Sequence, residues 1–166
     1  RINFIPVFDE EIKVELGAPT EESGNAGLVA IDRALEDYRA GGFDVLVTAP
    51  LNNNENFQFS GQSRYIEDHL CAEVPSISVL VNEKLRIALA TRNLPLNQVS
   101  ASLSVERITK SGKLLYNSIM RDFRISNPRL AILALNPKAG DNGLLGSEEQ
   151  EIITPAIEAL VGEGIQ

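Results

Sequence analysis

The chain has 166 residues, 43% hydrophobic and 23% charged, enough apolar material for one soluble globular domain with a sizeable core. A formal net charge of -8 argues against a basic nucleic-acid or anionic-membrane surface, and no apolar run approaches the ~20 residues that span a bilayer. The single cysteine, Cys71, allows no internal disulfide and fits a reducing compartment; beside an apolar helix face it reads as a buried thiol.

In chain order, Ile2 to Val7 is a short apolar run, and Ile12, Val14 and Leu16 alternate in Glu11 to Leu16. Both are expected as strands, the second half-exposed. A helix is expected from Ser23 to Ala40, with Leu28, Ile31, Leu35 and Tyr38 on one face and Gly41-Gly42 ending it. Phe43 to Thr48 reads as a buried strand that leaves through Ala49-Pro50 into a run of asparagines. Ser63 to Ala72 reads as a short helix. It carries the only histidine, His69, for which a surface or capping role suits the surroundings better than metal ligation.

Ser76 to Asn82 and Arg86 to Thr91 read as two further strands, and Leu103 to Phe123 as a long helix with Ile108, Leu115, Ile119 and Phe123 inward. Gly112 interrupts that helix at a cost of about 1 kcal/mol against alanine. After Asn127-Pro128, the apolar run Arg129 to Leu135 reads as a buried strand. Ser147 with Gln150 makes a capping-box pattern, with Glu148 and Glu149 at the positive end of the helix dipole. Pro155 either kinks that helix or starts a second one capped by Thr154. Strands alternating with helices, several of them apolar throughout, imply an α/β layered sheet. There is no internal repeat, low-complexity tract or obvious linker.

Three polar loops leave predicted strands: Thr48 to Asn53 running on to Gly61-Gln62-Ser63-Arg64, Thr91 to Pro95, and Asn136 to Gly143. In a parallel sheet such loops share one edge, where open α/β folds place ligands. Ordinary turn chemistry is the competing reading, since Asn, Gly and Pro are the usual turn formers. Gly140, Gly143 and Gly146 precede a helix, but they match neither the P-loop nor the Rossmann pattern, and turn geometry explains them better than a phosphate cradle. Ser111-Gly112-Lys113 falls inside a predicted helix and is not read as a phosphate loop.

Taken in order, Val14-Glu15-Leu16-Gly17, Val47-Thr48-Ala49-Pro50-Leu51-Asn52, Leu94-Pro95-Leu96 and Leu135-Asn136-Pro137 with Ala139-Gly140-Asp141-Asn142-Gly143 form a specific series, continued by Gly146, Glu148 and Glu149. This series resembles the 4-hydroxythreonine-4-phosphate dehydrogenase family of pyridoxal phosphate biosynthesis over nearly the whole chain. The resemblance implies a mostly parallel layered sheet with helices on both faces, similar to isocitrate and isopropylmalate dehydrogenases. The chain is then expected to be one α/β segment, residues 1–166, from the centre of a longer two-domain protein. It also implies a cytoplasmic, homodimeric, NAD-dependent oxidoreductase that acts on a small phosphorylated substrate, 4-phosphonooxy-threonine, and whose product decarboxylates. A divalent metal held by three histidines from both subunits would polarise the oxygen being oxidised.

Several positions depart from the family pattern. Its substrate-binding Gly-His-Thr-Glu stands here as Gly61-Gln62-Ser63-Arg64. Its metal-binding Thr-His stands as Arg92-Asn93, its Asn-Pro-His-Ala-Gly as Asn136-Pro137-Lys138-Ala139-Gly140, and its lysine after Ala-Pro-Ile-Asn as Asn53. The third metal histidine is expected beyond Gln166. Asn93 and Lys138 therefore occupy metal positions without imidazole: lysine is protonated near neutral pH, and asparagine offers a neutral oxygen unsuited to zinc. Arg64, Arg92 and Lys138 each bring positive charge into a motif loop, so fixed cations are expected to replace the metal's charge in an anion-binding cleft. Drift in an unused site is the rival reading. Three functions stay open: an active oxidoreductase, a catalytically silent relative that binds a phosphorylated metabolite or serves as a structural subunit, and a phosphate-handling transferase.

Overall fold

The computed structural model describes residues 2–9, 11–51, 61–70 and 75–166. The expected buried thiol of Cys71 and the loop holding Asn53 lie outside them. The chain divides into two compact units, Arg1–Val74 and Pro75–Gln166.

In the first unit, helix α1 spans Glu21–Arg39 and starts two residues before the expected Ser23, because Ser23 serves the cap rather than opening the helix. Thr20 is extended (φ -111, ψ 153), and its hydroxyl accepts the Ser23 N–H at 3.2 Å. The Ser23 hydroxyl in return accepts the Thr20 N–H at 3.3 Å. A serine thus fills the third helical position of a capping box, where Glu or Gln is usual. Ile31 and Leu35 are buried with Tyr65, and Leu28, Leu46, Leu51, Ile66 and Leu70 pack around them. Tyr38, expected on the buried face, is instead exposed and lies against Phe43 at 5.7 Å between ring centroids.

Helix α2 spans Gln62–Leu70 and is tied to α1 by a polar contact inside this core. The Tyr65 hydroxyl donates to Asp32 Oδ1 at 2.5 Å. The His69 ring stacks on Tyr65 at 4.0 Å, and its Nδ1 lies 2.8 Å from the Tyr65 carbonyl. That contact one turn back along its own helix fits the capping role read from sequence.

In the second unit, β1 (Val79–Val81) and β2 (Arg86–Ala88) pair antiparallel, with Leu80 opposite Ile87. Asn82 makes the turn between them, its Oδ1 accepting the N–H groups of Lys84 and Leu85, both at 2.8 Å. A short helix α3 (Leu96–Val99) and a 3-10 turn (Ser100–Ser102) lead to helix α4, Val105–Arg121, capped by the Ser104 hydroxyl on Arg107 N–H. The Arg86 guanidinium lies 4.6 Å over the Phe123 ring.

The chain enters its last helix at Glu148 and runs through a π turn, Glu149–Ile153, into α5, Thr154–Gly162. Ile153 and Thr154 are both helical, so Thr154 is no cap and the helix does not restart. The Thr154 N–H reaches five residues back to the Glu149 carbonyl, a widened turn placed just before Pro155, which has no N–H to donate. The expected Ser147–Gln150 capping box is not made. The N–H groups of Gln150 and Glu151 both go to the Ser147 carbonyl instead, at 3.0 and 2.8 Å.

Ile108, Ile153 and Ala156 form the core between α4 and α5. Leu160, only 3% exposed, explains Gly112: a Cβ there would lie 2.7 Å from Leu160 Cδ1. The glycine that weakens α4 locally is what admits α5 at close range. Lys113 and Glu163 close the rim at 2.6 Å.

The expected layered sheet is less complete in the described residues than the apolar pattern suggests. Their one ladder is the antiparallel β1–β2 pair. Segments 2–7, 11–16, 43–48 and 129–135, expected as strands, form no ladder among the described residues, and Ile2 (95%), Phe4 (94%) and Leu133 (83%) are exposed. Alternating or continuous apolar residues specify an extended backbone, whereas the strand it pairs with is set by non-local context.

Two predictions follow from these cores, both for the full-length protein. Gly112→Val is expected to lower stability by about 1–2 kcal/mol in a urea melt, the overpacking cost exceeding the gain in helix propensity. In a Leu160→Ala background the same substitution should cost less; equal costs would show that the two residues are not coupled. Burial first, and the bond to Asp32 second, push the Tyr65 hydroxyl up to about 12. The folded state then holds that proton more tightly than the unfolded chain, so the stabilisation is complete below pH ~10 and is lost as pH rises through 12. An absorbance titration should show a tyrosinate step near pH 12 that is missing in Tyr65→Phe; a step that survives the substitution assigns it elsewhere.

Candidate functional site

Motif residues occur in both units. In the first, Gly61-Gln62-Ser63-Arg64 forms the entry and first turn of α2, with the Gly61 carbonyl accepting from Arg64 N at 3.1 Å and Tyr65 N at 3.2 Å. Gln62 is half-buried, and Ser63 and Arg64 are exposed. Arg64 Nε pairs with Asp68 one turn on at 2.9 Å, so part of its charge is spent within its own helix.

In the second unit, Arg92 is half-buried and donates from Nη1 to the Ser78 hydroxyl. Asn93 beside it is exposed and left-handed, at φ 55. Lys138 is exposed and makes no ion pair among the described residues.

The loop around Lys138 is built by its own polar groups. Asn136 Oδ1 accepts the Lys138 N–H at 3.0 Å, and the Asn136 carbonyl accepts the Ala139 N–H at 2.8 Å. From Ala139 to Gly143 five successive residues then take positive φ: 49, 73, 47, 55 and 92. For residues other than glycine this conformation costs roughly 1–2 kcal/mol each, less for Asp and Asn. Strain of this kind persists only where the surroundings impose it, and it gathers at functional sites.

Those surroundings are identifiable. Gly143 N and Leu145 N both donate to the Gly140 carbonyl at 2.9 Å, and Gly143 bridges Gly146. These two donors are spent inside the loop, and Gly140, Gly143 and Gly146 make a turn, as the sequence reading favoured. Beneath the turn lies Glu149, 8% exposed, whose Oε1 accepts the Asn136 N–H at 2.8 Å. Its Oε2 has no hydrogen-bond partner among the described residues. Gly140 passes so close that a Cβ there would meet the Gly146 carbonyl oxygen at 2.5 Å and Glu149 Oε2 at 3.0 Å. Next to it, Glu148 accepts from the Ser100 hydroxyl, and chiefly that bond holds its carboxyl below the usual range.

Glu149 was missed as a site residue: from sequence it reads as an exposed helix-dipole partner. The signals in the sequence were its place in the motif series after Gly146 and an acid following a glycine loop at the start of an apolar helix.

The metal implied by the resemblance is not matched by these donors. Lys138 carries a proton where imidazole would offer a lone pair, and Asn93 offers a neutral amide. Among the described residues no group of three His, Cys, Asp or Glu side chains is arranged to hold a metal ion. No helix among them is long and apolar enough to cross a membrane.

The model of the family described as pyridoxal phosphate biosynthetic protein PdxA matches residues 1–166. The chain is 41% identical over 169 residues to a 4-hydroxythreonine-4-phosphate dehydrogenase of Bacteroides thetaiotaomicron, covering 99% of this chain and 46% of that one. It is 39% identical over 145 residues to the enzyme of that name from Acidithiobacillus ferrooxidans, covering 85% and 43%. The crystal structure of a 4-hydroxythreonine-4-phosphate dehydrogenase from Klebsiella pneumoniae superposes with a TM-score of 0.71 at 30% identity, over 86% of this chain and 46% of that one. The fold is α/β. The chain spans about half the length of the curated relatives it matches.

The loop geometry predicts unequal costs at two glycines. Gly140→Ala combines a left-handed backbone with a backbone clash and should destabilise the full-length protein by about 3 kcal/mol or more. Gly143→Ala, whose Cβ would enter open space, should cost about 1 kcal/mol. Urea melts of the two variants test this; equal midpoints would mean that the close approach to Gly146 is absent.

Proposed function

Since the chain belongs to the pyridoxal phosphate biosynthetic protein PdxA family, we propose that the full-length protein is a 4-hydroxythreonine-4-phosphate dehydrogenase, an NAD-dependent oxidoreductase of a small phosphorylated hydroxy acid. The observation that carries this reading is 41% identity to a relative of that name across 99% of the chain. The accompanying proposals are a cytoplasmic homodimer and a mostly parallel layered sheet in which the extended apolar segments serve as strands. NAD would supply the hydride acceptor. The residues expected at the two metal positions, Asn93 and Lys138, do not suit a divalent metal.

What this chain's residues supply is charge and order. Lys138 projects an ammonium from a loop locked by Asn136 and Glu149. Arg92 presents a guanidinium suited to phosphate or carboxylate from the loop that carries Asn93. We assign both to holding the substrate's anionic groups. Gln62, Ser63 and Arg64 remain candidates for substrate contact in the first unit by motif position. Lys138 at an imidazole position also supports a second reading, a catalytically silent relative that binds the phosphorylated acid without oxidising it.

One assay separates the two. The full-length protein with 4-phosphonooxy-threonine and NAD should form NADH, with no rise in rate on adding zinc, cobalt or magnesium after chelation. Absence of NADH under every metal condition, with binding heat retained in calorimetry, selects the silent relative. Stoichiometric metal that stays bound through dialysis would overturn the replacement of metal by fixed cations. Under either reading Lys138→Met should weaken binding of the phosphorylated acid about tenfold at low salt, the loss of one charged contact worth ~1.4 kcal/mol.

A further inference from the structure

Glu148 and Glu149 stand where the chain enters its last helix, and they reach two different segments of the second unit, the 3-10 turn at Ser100 and the loop that carries Lys138. Neighbouring residues on a helix do not share a face, so two adjacent acids diverge. Glu148, on the more open side, accepts a hydrogen bond from the hydroxyl of Ser100, in the 3-10 turn that follows helix α3. Glu149, on the buried side, takes the Asn136 N–H at the mouth of the loop that carries Lys138. The π turn that begins at Glu149 widens the helix at this point, a device often found at functional sites.

We propose that Glu148 and Glu149 are positioning residues, a tandem clamp that holds the Ser100 turn and the Lys138 loop in fixed register on one helix end. The helix end then sets where the Lys138 loop presents its group, with Gly140 of the left-handed run passing close to Glu149. The ligand-binding role of the Lys138 loop rests on the function proposed above; the clamp itself does not. Its selectivity lies in length. Glu149 touches Asn136 through one acceptor oxygen at 2.8 Å, so glutamine is expected to preserve the contact and aspartate, one methylene shorter, to lose it.

Amide hydrogen exchange of the full-length protein tests the clamp without any ligand. Glu149→Ala and Glu149→Asp should raise exchange across 136–145 tenfold or more, with 105–121 unchanged. Glu149→Gln should stay within about twofold of the unmodified protein. Ser100→Ala should raise exchange in 96–103 and leave 136–145 alone. Protection in Glu149→Asp equal to that in Glu149→Gln, or no change in Glu149→Ala, overturns the proposal, because a role for buried charge alone would favour aspartate over glutamine. Calorimetry with inorganic phosphate supplies the functional arm. If the unmodified protein binds, Glu149→Ala should lose affinity at least tenfold and Glu149→Gln should keep it; unchanged affinity in Glu149→Ala also overturns positioning. No heat with the unmodified protein counts against the anion-binding reading alone, and the exchange result then decides the clamp.

Discussion

The hydrogen bond from the Asn136 N–H to the buried Glu149 carboxyl is the contact on which the second unit's site depends. Burying a carboxyl group with only one oxygen partnered costs a few kcal/mol, and nothing in the loop itself offsets that. The offset comes from the helix that Glu149 opens. Four residues on, Ile153 enters the core with Ile108 and Ala156, and further along Leu160 packs over Gly112. The apolar face of the last helix drives the acid inward, and the acid in turn fixes the strand-to-helix loop. Packing energy far from the ligand edge is thereby converted into order at that edge.

That order constrains the chemistry available. A lysine on a freely moving loop would be one more solvated surface charge. On a loop whose N–H groups at 136, 138 and 139 all have internal acceptors, it is a charge with a restricted origin. The other two cations singled out in sequence have commitments of their own: Arg64 to Asp68 within α2, and Arg92 to Ser78. Charge introduced by sequence is therefore not equivalent to charge delivered to a ligand. Lys138 carries more of the anion argument than the arginines do.

Much of this was legible beforehand because it is local. The 3.6-residue spacing of Ile31 with Leu35, and of Ile108 with Ile119, placed α1 and α4 with their buried faces, and the hairpin strands fell inside the expected segments. The errors share a cause. Ser147 and Gln150 matched a capping pattern, yet the Ser147 carbonyl satisfied the helix donors first. Gly112 read as a defect because its value lies in Leu160, 48 positions later by chain numbering. The apolar runs at 2–7 and 129–135 matched a strand pattern, but such a pattern cannot name the strand it would pair with. Glu149 was hidden for the same reason: nothing in a run of two glutamates says which one turns inward.

The balance between purposeful charge replacement and drift turns on what has changed and what has not. Under the proposed function, the departures read from sequence, Gln62, Ser63, Arg64, Asn93 and Lys138, are assigned to groups that would meet a metal or substrate. The parts that shape the loop are present: Asn136, Gly140 where a Cβ would clash with the Gly146 carbonyl, Gly146, and Glu149 beneath. A left-handed run that includes Ala139 is a standing cost, and it survives only while its surroundings over-determine it. Unopposed drift would relax such a loop as readily as it altered the side chains on it. A strained scaffold that carries such groups is what the proposed anion-binding site requires, and the glycine and lysine substitutions test it.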